Sequence, residues 1–206
     1  MNILIHPTYF PSIAHFVAIS QAETVTFEMA DNFQKQTFRN RTYIYGANGK
    51  LLLNIPVVHT QKDRQLYVDV QTFNEENWQR NHWKSLESAY KTSPFFEFYE
   101  DELKPVFEKP VSNLLNFNLH CFQTICDCLQ LDIKTKQTTT FEKEPAQFTD
   151  LRYLVKAKGE KAPNLKSYTQ VFDDKHGFIN NLSILDLLFN EGPNALNYLE
   201  SQKTFW

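Results

Sequence analysis

The chain has 206 residues, a formal net charge of −3, 42% hydrophobic residues and 15% aromatic residues. This composition is typical of a globular protein and excludes a disordered or fibrous chain. Only 5 glycines are present, so a glycine-rich loop that binds phosphate is not expected.

The first residues, MNILIHPTYFPSIAHF, contain no Lys or Arg and are interrupted by two prolines. A secretory signal peptide needs a basic start and an unbroken apolar run, so secretion is not expected. The apolar runs are also too short for a membrane helix. Cys121, Cys126 and Cys128 lie close together without a partner cluster, which favours free thiols in a reducing compartment. We therefore expect a cytoplasmic protein that does not insert into membranes.

The N-terminal part predicts strands, a helix and a hairpin. Residues 2–6 and 24–27 have β character and flank a helical pattern that starts at Ile13, which predicts a βαβ unit. Residues 37–58 predict a hairpin around the turn Gly46-Ala47-Asn48-Gly49. Alternating apolar residues predict one more strand over 66–70.

The rest of the chain predicts a helical block and a smaller C-terminal part. One helix is expected to start at a cap, Asn74, and to stop at Thr92-Ser93-Pro94; two more are predicted over 95–103 and 112–131. Residues 134–166 predict short strands and loops, and Ser183 can cap a helix over 183–190. The expected fold is mixed α/β (α+β): an N-terminal βαβ unit with a hairpin, a central helical block and a C-terminal α+β part. We treat residues 1–206 as a single domain, with 1–131 and 132–206 as the alternative division.

One helix face in the centre carries a histidine among aromatic residues. Trp78, His82, Leu86 and Tyr90 recur every four residues and therefore share a face. His82 is then directed towards the core or towards a pocket. Two interpretations stay open: a buried histidine bonded to backbone, or a proton donor or ligand clamp in an aromatic pocket.

A cluster of cations occurs in the segment NFQKQTFRNR. If the strand runs unbroken, Lys35, Arg39 and Arg41 lie on the same side. Three cations on one face repel one another, and an anionic ligand would offset that repulsion. The alternative is an exposed hairpin arm.

The final helix has a narrow polar stripe. Ser183, Asp186 and Asn190 fall on one line of an otherwise apolar segment, SILDLLFN. Such a stripe either lines a polar cavity or combines a cap with a narrow solvent face.

Several common chemistries are not expected. Cys121 and Cys128 share a face with apolar residues, and no paired cluster of ligands accompanies them, so no metal site is predicted. The chain lacks a nucleophile elbow, a Walker loop and a dinucleotide fingerprint. Residues 134–166 are basic but carry no aromatic-basic motif, so nucleic acid is not an expected partner.

Taken together, several segments resemble the WbqC-like protein family. These segments are HPTYFPSIAHF, FQKQTFRNRTYI, GKLLLNIPV, NWQRNHWKSLESAYKTSPFFEFY and NLSILDLLFNEGP, in this order along the chain. The resemblance implies a role associated with O-antigen and surface-polysaccharide biosynthesis. The positions that match the family's recurring ones are Tyr9, Pro11, Lys35, Arg41, Trp78, His82, Tyr90, Asp186 and Asn190.

The resemblance and the cation cluster together suggest an enzyme that modifies an activated sugar, by transfer of an acyl or aminoacyl group to an amino-sugar nucleotide. His82 and Asp186 are the candidate catalytic residues. The candidate substrate-binding residues, which would hold a phosphate, stack on the ligand or orient it, are Tyr9, Lys35, Arg39, Arg41, Trp78 and Asn190. The sequence identifies no cofactor, and the expected partner is a sugar nucleotide or nucleotide.

Two alternatives stay open, one a different enzyme and the other a protein without catalytic activity. Ser12-Ile13-Ala14-His15 faintly resembles the H-x-G-H motif of nucleotidyltransferases, although only His15 matches it. The aromatic content would also suit a non-catalytic binding or scaffold protein, for which exposed apolar patches would be the evidence.

Overall fold

Two separate sheets organise the chain, whose computed structural model describes residues 1–58, 60, 64–158 and 163–206. The strands in chain order are β1 (Asn2–Ile5), β2 (Thr24–Phe27), β3 (Arg41–Gly46), β4 (Gly49–Asn54), β5 (Lys134–Gln137) and β6 (Thr149–Asp150). A parallel sheet has the order β5-β2-β1-β6, and β3 pairs with β4 in an antiparallel hairpin. The predicted mixed α/β class is confirmed.

The predicted βαβ opening is also confirmed. Helix α1 (Ile13–Ser20) connects β1 to β2, and the two strands pair in parallel from Asn2 opposite Thr24 to Ile5 opposite Phe27. Every residue of α1 except the last is buried. A helix that is apolar on all sides must be covered on all sides, and α1 lies between the parallel sheet and the C-terminal helices.

Three helices form the central block: α2 (Trp78–Tyr90), α3 (Phe96–Glu108) and α4 (Leu114–Leu129). They pack in sequence order, α2 on α3 and α3 on α4, and α2 also packs on β3. Helix α4 ends where Gln130 adopts a left-handed conformation with φ 53, a common way to stop a helix. The helical block therefore joins the hairpin to the rest of the core.

Two local predictions are wrong. Residues Tyr67–Asp69 form a short 3-10 helix and not a strand, because Tyr67 is buried and donates a hydrogen bond to the Pro7 carbonyl while Leu66 and Val68 stay exposed. Asn74 does not cap α2, which begins at Trp78. Its Oδ1 instead accepts a hydrogen bond from the Trp78 indole at 3.1 Å.

The C-terminal part contributes to both the sheet and the core. Strands β5 and β6 join β2 and β1, so strands from both sides of residue 131 share one sheet. The last helices are α5 (Asp173–His176), α6 (Ile184–Glu191) and α7 (Ala195–Glu200). Ser183 caps α6 as predicted, because its Oγ accepts a hydrogen bond from the Leu185 amide. Among the described residues, no helix combines the length and the apolar character needed to cross a bilayer.

Gly192, between α6 and α7, offers a test of this packing. Its φ is 53, and a Cβ atom there would lie 2.5 Å from ring atoms of Phe95. Gly177 also has a positive φ, of 70, but a Cβ atom there would meet nothing within 4 Å. Both Gly→Ala variants strain the backbone, but only Gly192→Ala overpacks the core. We expect Gly192→Ala to lower the free energy of unfolding in urea by about 1–3 kcal/mol more than Gly177→Ala does. Equal losses would contradict the close approach of Gly192 to the Phe95 ring.

Candidate functional site

A cavity of about 700 Å³ lies beside the hairpin. Lys35 and Arg41 line it, together with the amide side chains of Asn40 and Asn54. The rest of the lining is mainly apolar, and Glu76 adds one carboxylate; the apolar side chains include those of Ile55, Val57 and Phe73. We call this space the Lys35–Arg41 cavity.

Arg41 is the less exposed of the two cations. It is half-buried, and its Nε atom is buried with no hydrogen-bond partner among the residues that the structure describes. An N–H group left unpaired in a buried position costs free energy. Because the guanidinium presents its donors in a planar fork, a carboxylate or phosphate in the cavity would satisfy this group.

Arg39 does not share this cavity. The condition of an unbroken strand is not met: β3 begins at Arg41, and residues 35–40 form turns around an isolated bridge at Thr37. The Arg39 side chain is directed inwards, is fully buried, and donates a hydrogen bond to Asp31 at 2.8 Å. Its guanidinium also lies 5.4 Å from the centre of the Tyr67 ring. The turn therefore separates Arg39 from Lys35 and Arg41.

His82 lies in a buried aromatic cluster near the cavity. The Tyr9 hydroxyl is 2.9 Å from His82 Nδ1, and the Trp78 ring centre is 5.3 Å from that of His82. Burial lowers the pKa of His82 to about 4, opposed by a hydrogen bond with the Asn54 backbone. These contacts fit a neutral imidazole that accepts a hydrogen bond from the Tyr9 hydroxyl at Nδ1 and carries its proton on the other ring nitrogen. The cavity lining does not include Tyr9, Trp78 or His82. His82 contacts the backbone of Asn54, and Asn54 lines the cavity.

Asp186 belongs to a different network. It is fully buried and accepts hydrogen bonds from Tyr90 at 2.7 Å, from Gln170 at 2.8 Å and from Tyr168. Burial raises the pKa of this carboxyl. Asn190 donates to the Asp186 backbone carbonyl at 2.7 Å. Ser183 and Asp186 of this polar stripe are buried, and Asn190 is half-buried. The stripe does not line the Lys35–Arg41 cavity; Asp186 ties α6 to α2 and to residues 168–170.

His15 occupies the first turn of α1. It is 1% exposed, its Nδ1 lies 2.8 Å from the Ser12 hydroxyl, and burial lowers its pKa to about 3. The first amides of α1 are already bonded, since Ile13 N donates to the Leu182 carbonyl at 2.9 Å and Ala14 N donates to Asn181 Oδ1 at 2.8 Å. Protein groups therefore occupy the amides that a phosphate would use.

Sequence reasoning missed a set of charged residues at the carboxyl edge of the parallel sheet. His6 follows β1 and lies 2.8 Å from Asp31, and burial is the main cause that lowers the pKa of this histidine. Glu28 follows β2, is 1% exposed, and pairs with Arg152 at 3.2 Å. Polar residues directly after predicted strands were the available signal, because parallel strands end at the same edge.

The cysteines behave as core residues. All three are free, Cys121 and Cys126 are buried, and burial raises the pKa of the Cys126 thiol to about 12. In the part of the chain that the structure describes, no group of three or more His, Cys, Asp or Glu residues could hold a metal ion.

These features define a mixed α/β protein with a cavity that carries two cations. Its sequence matches the WbqC-like protein family over residues 6–162, and the chain belongs to this family. The uncharacterized protein Rv1507c of Mycobacterium tuberculosis is 25% identical over 226 aligned positions, which cover 95% of this chain and 96% of that protein. No solved structure matches the chain.

The lowered pKa of His82 predicts a loss of stability in mild acid. The unfolded chain takes up a proton as the pH falls below the ordinary value of 6.5, whereas the folded protein keeps His82 neutral down to about 4. Stability is therefore lost between these two values. From pH 7 to pH 5, His82 accounts for a decrease of about 2 kcal/mol in the free energy of unfolding.

The variant His82→Gln keeps a hydrogen-bond donor and an acceptor but does not titrate. Between pH 7 and pH 5 we expect its free energy of unfolding to fall by about 2 kcal/mol less than that of the wild type. Urea unfolding at both pH values measures the difference. The control is His120→Gln at an exposed position of α4, whose free energy of unfolding should fall between the two pH values by as much as that of the wild type. If His82→Gln loses as much free energy of unfolding as the wild type does, the claim that His82 is a buried neutral imidazole is contradicted.

Proposed function

We propose that the protein is an enzyme of surface-polysaccharide biosynthesis that binds an activated sugar in the Lys35–Arg41 cavity. The observation that carries the proposal is the pair of cations on one cavity wall, with the buried Nε of Arg41 lacking a partner among the described residues. A phosphate group would supply an acceptor for this Nε. Family membership supports the polysaccharide context.

The lining of the cavity suits the other parts of such a ligand. Asn40 Oδ1 is left as an acceptor, because its amide nitrogen donates to Asn54 Oδ1 and to the Ile55 carbonyl. The Asn54 amide nitrogen offers a donor, while Ile55, Val57 and Phe73 offer apolar contact. Ligand sites commonly combine an apolar lining with a few polar groups that fix orientation. A sugar nucleotide can use such a lining, because its phosphates are anionic and its base and sugar ring each have an apolar face.

The proposed reaction is transfer of an acyl or aminoacyl group to the amine of an amino-sugar nucleotide. The amine nitrogen attacks the carbonyl carbon of an activated acyl donor, the bond to the carrier breaks, and the amine loses a proton. His82 is the proposed general base. Since His82 does not line the cavity, the proposal requires that its ring reaches the amine when the ligand binds. Its Nδ1 lone pair is engaged by the Tyr9 hydroxyl, which does not line the cavity either, so Tyr9 must move away before Nδ1 can take the proton.

The remaining candidates support this site from a distance. Trp78 packs against His82, and Arg39 holds the turn that carries Lys35 and Arg41. Asp186 and Asn190 enter the proposal as positioning residues, because Asp186 binds the Tyr90 hydroxyl on the same helix as His82.

Removal of the Arg41 charge should weaken binding of the ligand. A hydrogen bond to a charged group contributes about 1.5–3 kcal/mol, so Arg41→Gln should raise the Kd for UDP- or dTDP-linked amino sugars by about tenfold or more. Isothermal titration measures the affinity. Arg80→Gln, at an exposed position of α2, is the matched control and should bind as the wild type does.

Two outcomes would overturn the proposal. One is that the wild type binds none of these sugar nucleotides. The other is that Arg41→Gln binds them as tightly as Arg80→Gln does. Loss of turnover in Lys35→Ala with normal affinity would remove the assigned role of Lys35 in holding the anion.

Nucleotidyl transfer is the second candidate, because the sheet supports it. In the order β5-β2-β1-β6, β1 has β2 on one side and β6 on the other, and His15 lies in the first turn of α1, the helix that follows β1. Ligands of open parallel sheets commonly bind at such a switch point. In this alternative, His15 would contact the phosphates at the start of α1.

His15→Gln decides whether this alternative stands. Since Leu182 and Asn181 already occupy the first amides of α1, we expect the variant to bind free nucleotides and sugar nucleotides as the wild type does. Titration with both ligand classes measures this. Loss of free-nucleotide binding and of turnover in a folded His15→Gln variant would instead favour nucleotidyl transfer.

A further inference from the structure

The two faces of the parallel sheet differ in chemistry. Ile3, Val25 and Phe27 belong to the main core on the α1 side. Because side chains alternate along a strand, Leu4 and Thr26 are directed to the opposite face. Parallel sheets usually have apolar residues on both faces, so a polar second face needs an explanation.

A loop, residues 138–148, covers this second face and encloses a cavity of about 420 Å³ with it. Arg152 holds the loop, since its guanidinium donates to the Glu142 carbonyl at 2.8 Å and to the Lys143 carbonyl at 3.0 Å. The same guanidinium pairs with Asp150 and with the buried Glu28. The cavity wall is therefore fixed by a buried ion-pair network. We call this space the second-face cavity.

Thr26 provides the main observation that points to a ligand in this cavity. Its side chain lines the second-face cavity and is 3% exposed, yet its Oγ1 has no hydrogen-bond partner within the described part of the chain. A buried hydroxyl normally finds a partner, and leaving it unpaired costs free energy. A ligand hydroxyl in the cavity would pair with it.

The other groups around the cavity are mostly uncharged donors and acceptors. Hydroxyl and amide side chains are contributed by Asn2, Thr139, Thr140 and Gln147. Lys136 and Glu142 also line the cavity and carry opposite charges. Glu28 is not available to a ligand, because its two carboxylate oxygens already accept from Ala30, Thr138 and Arg152. The lining therefore favours a neutral ligand with many hydroxyl groups.

Apolar contact completes this pattern. Leu4 and Phe148 also line the cavity. A sugar ring presents hydroxyl groups around its edge and C–H groups on its faces, so it can use both kinds of lining. We propose that the second-face cavity binds a neutral sugar unit, independently of the anion proposed for the Lys35–Arg41 cavity.

The test compares two threonines of β2. Neutral methyl glycosides, including that of N-acetylglucosamine, are the probes, and saturation-transfer NMR titration gives their affinity. Thr26→Val keeps the shape of the side chain but removes the hydroxyl that lacks a partner. It should weaken glycoside binding by about fivefold or more, the effect of losing about one hydrogen bond, while the melting temperature stays equal or rises. Thr24→Val, on the same face but outside the cavity lining, should bind as the wild type does.

A second variant, Gln147→Ala in the exposed part of the loop, should also weaken binding. The proposal is overturned if the wild type binds no glycoside, if Thr26→Val binds as the wild type does, or if Thr24→Val loses as much affinity as Thr26→Val. Arg41→Gln should leave glycoside binding unchanged. Its separate loss of sugar-nucleotide binding distinguishes a failure of this proposal from a failure of the proposed function.

Discussion

Arg152 forms the interaction that holds the carboxyl edge of the parallel sheet together. It pairs with Asp150 at the end of β6 and with Glu28 after β2, and it binds two carbonyls of residues 138–148. Breaking a buried ion pair by removal of one partner typically costs about 3–5 kcal/mol, because the other charge stays buried alone. One side chain thus joins β6 and the loop that precedes it to the distant end of β2.

A second buried cation, Arg39, controls the geometry of the Lys35–Arg41 cavity. Its side chain is held by Asp31, which also binds His6 at the end of β1, and its backbone carbonyl accepts a hydrogen bond from Asn118 of α4 at 2.6 Å. These contacts draw Arg39 into the core. Because the chain turns there, Arg41 is left on the side of the cavity. The cavity therefore depends on the buried charges beside the parallel sheet.

Local patterns in the sequence were sufficient for the elements that depend on neighbouring residues. The four-residue spacing correctly placed Trp78 and His82 on one helix face, and the glycines at 46 and 49 located the hairpin turn. The pairing of β5 with β2 and of β6 with β1 was not predictable in this way, because it joins segments more than a hundred residues apart. The turn before Arg41 was not predicted either, because the contacts of Arg39 with Asp31 and Asn118 that hold it lie outside any strand or helix pattern.

Binding of an activated sugar in the Lys35–Arg41 cavity is the central claim. Hydrogen–deuterium exchange of the wild type, with and without a saturating UDP- or dTDP-linked amino sugar, tests it directly. We expect slower exchange in residues 35–41, 54–57 and 73–76, which surround the cavity. Slower exchange confined to residues 12–15 and 180–182 at the start of α1, or no change anywhere, would contradict it.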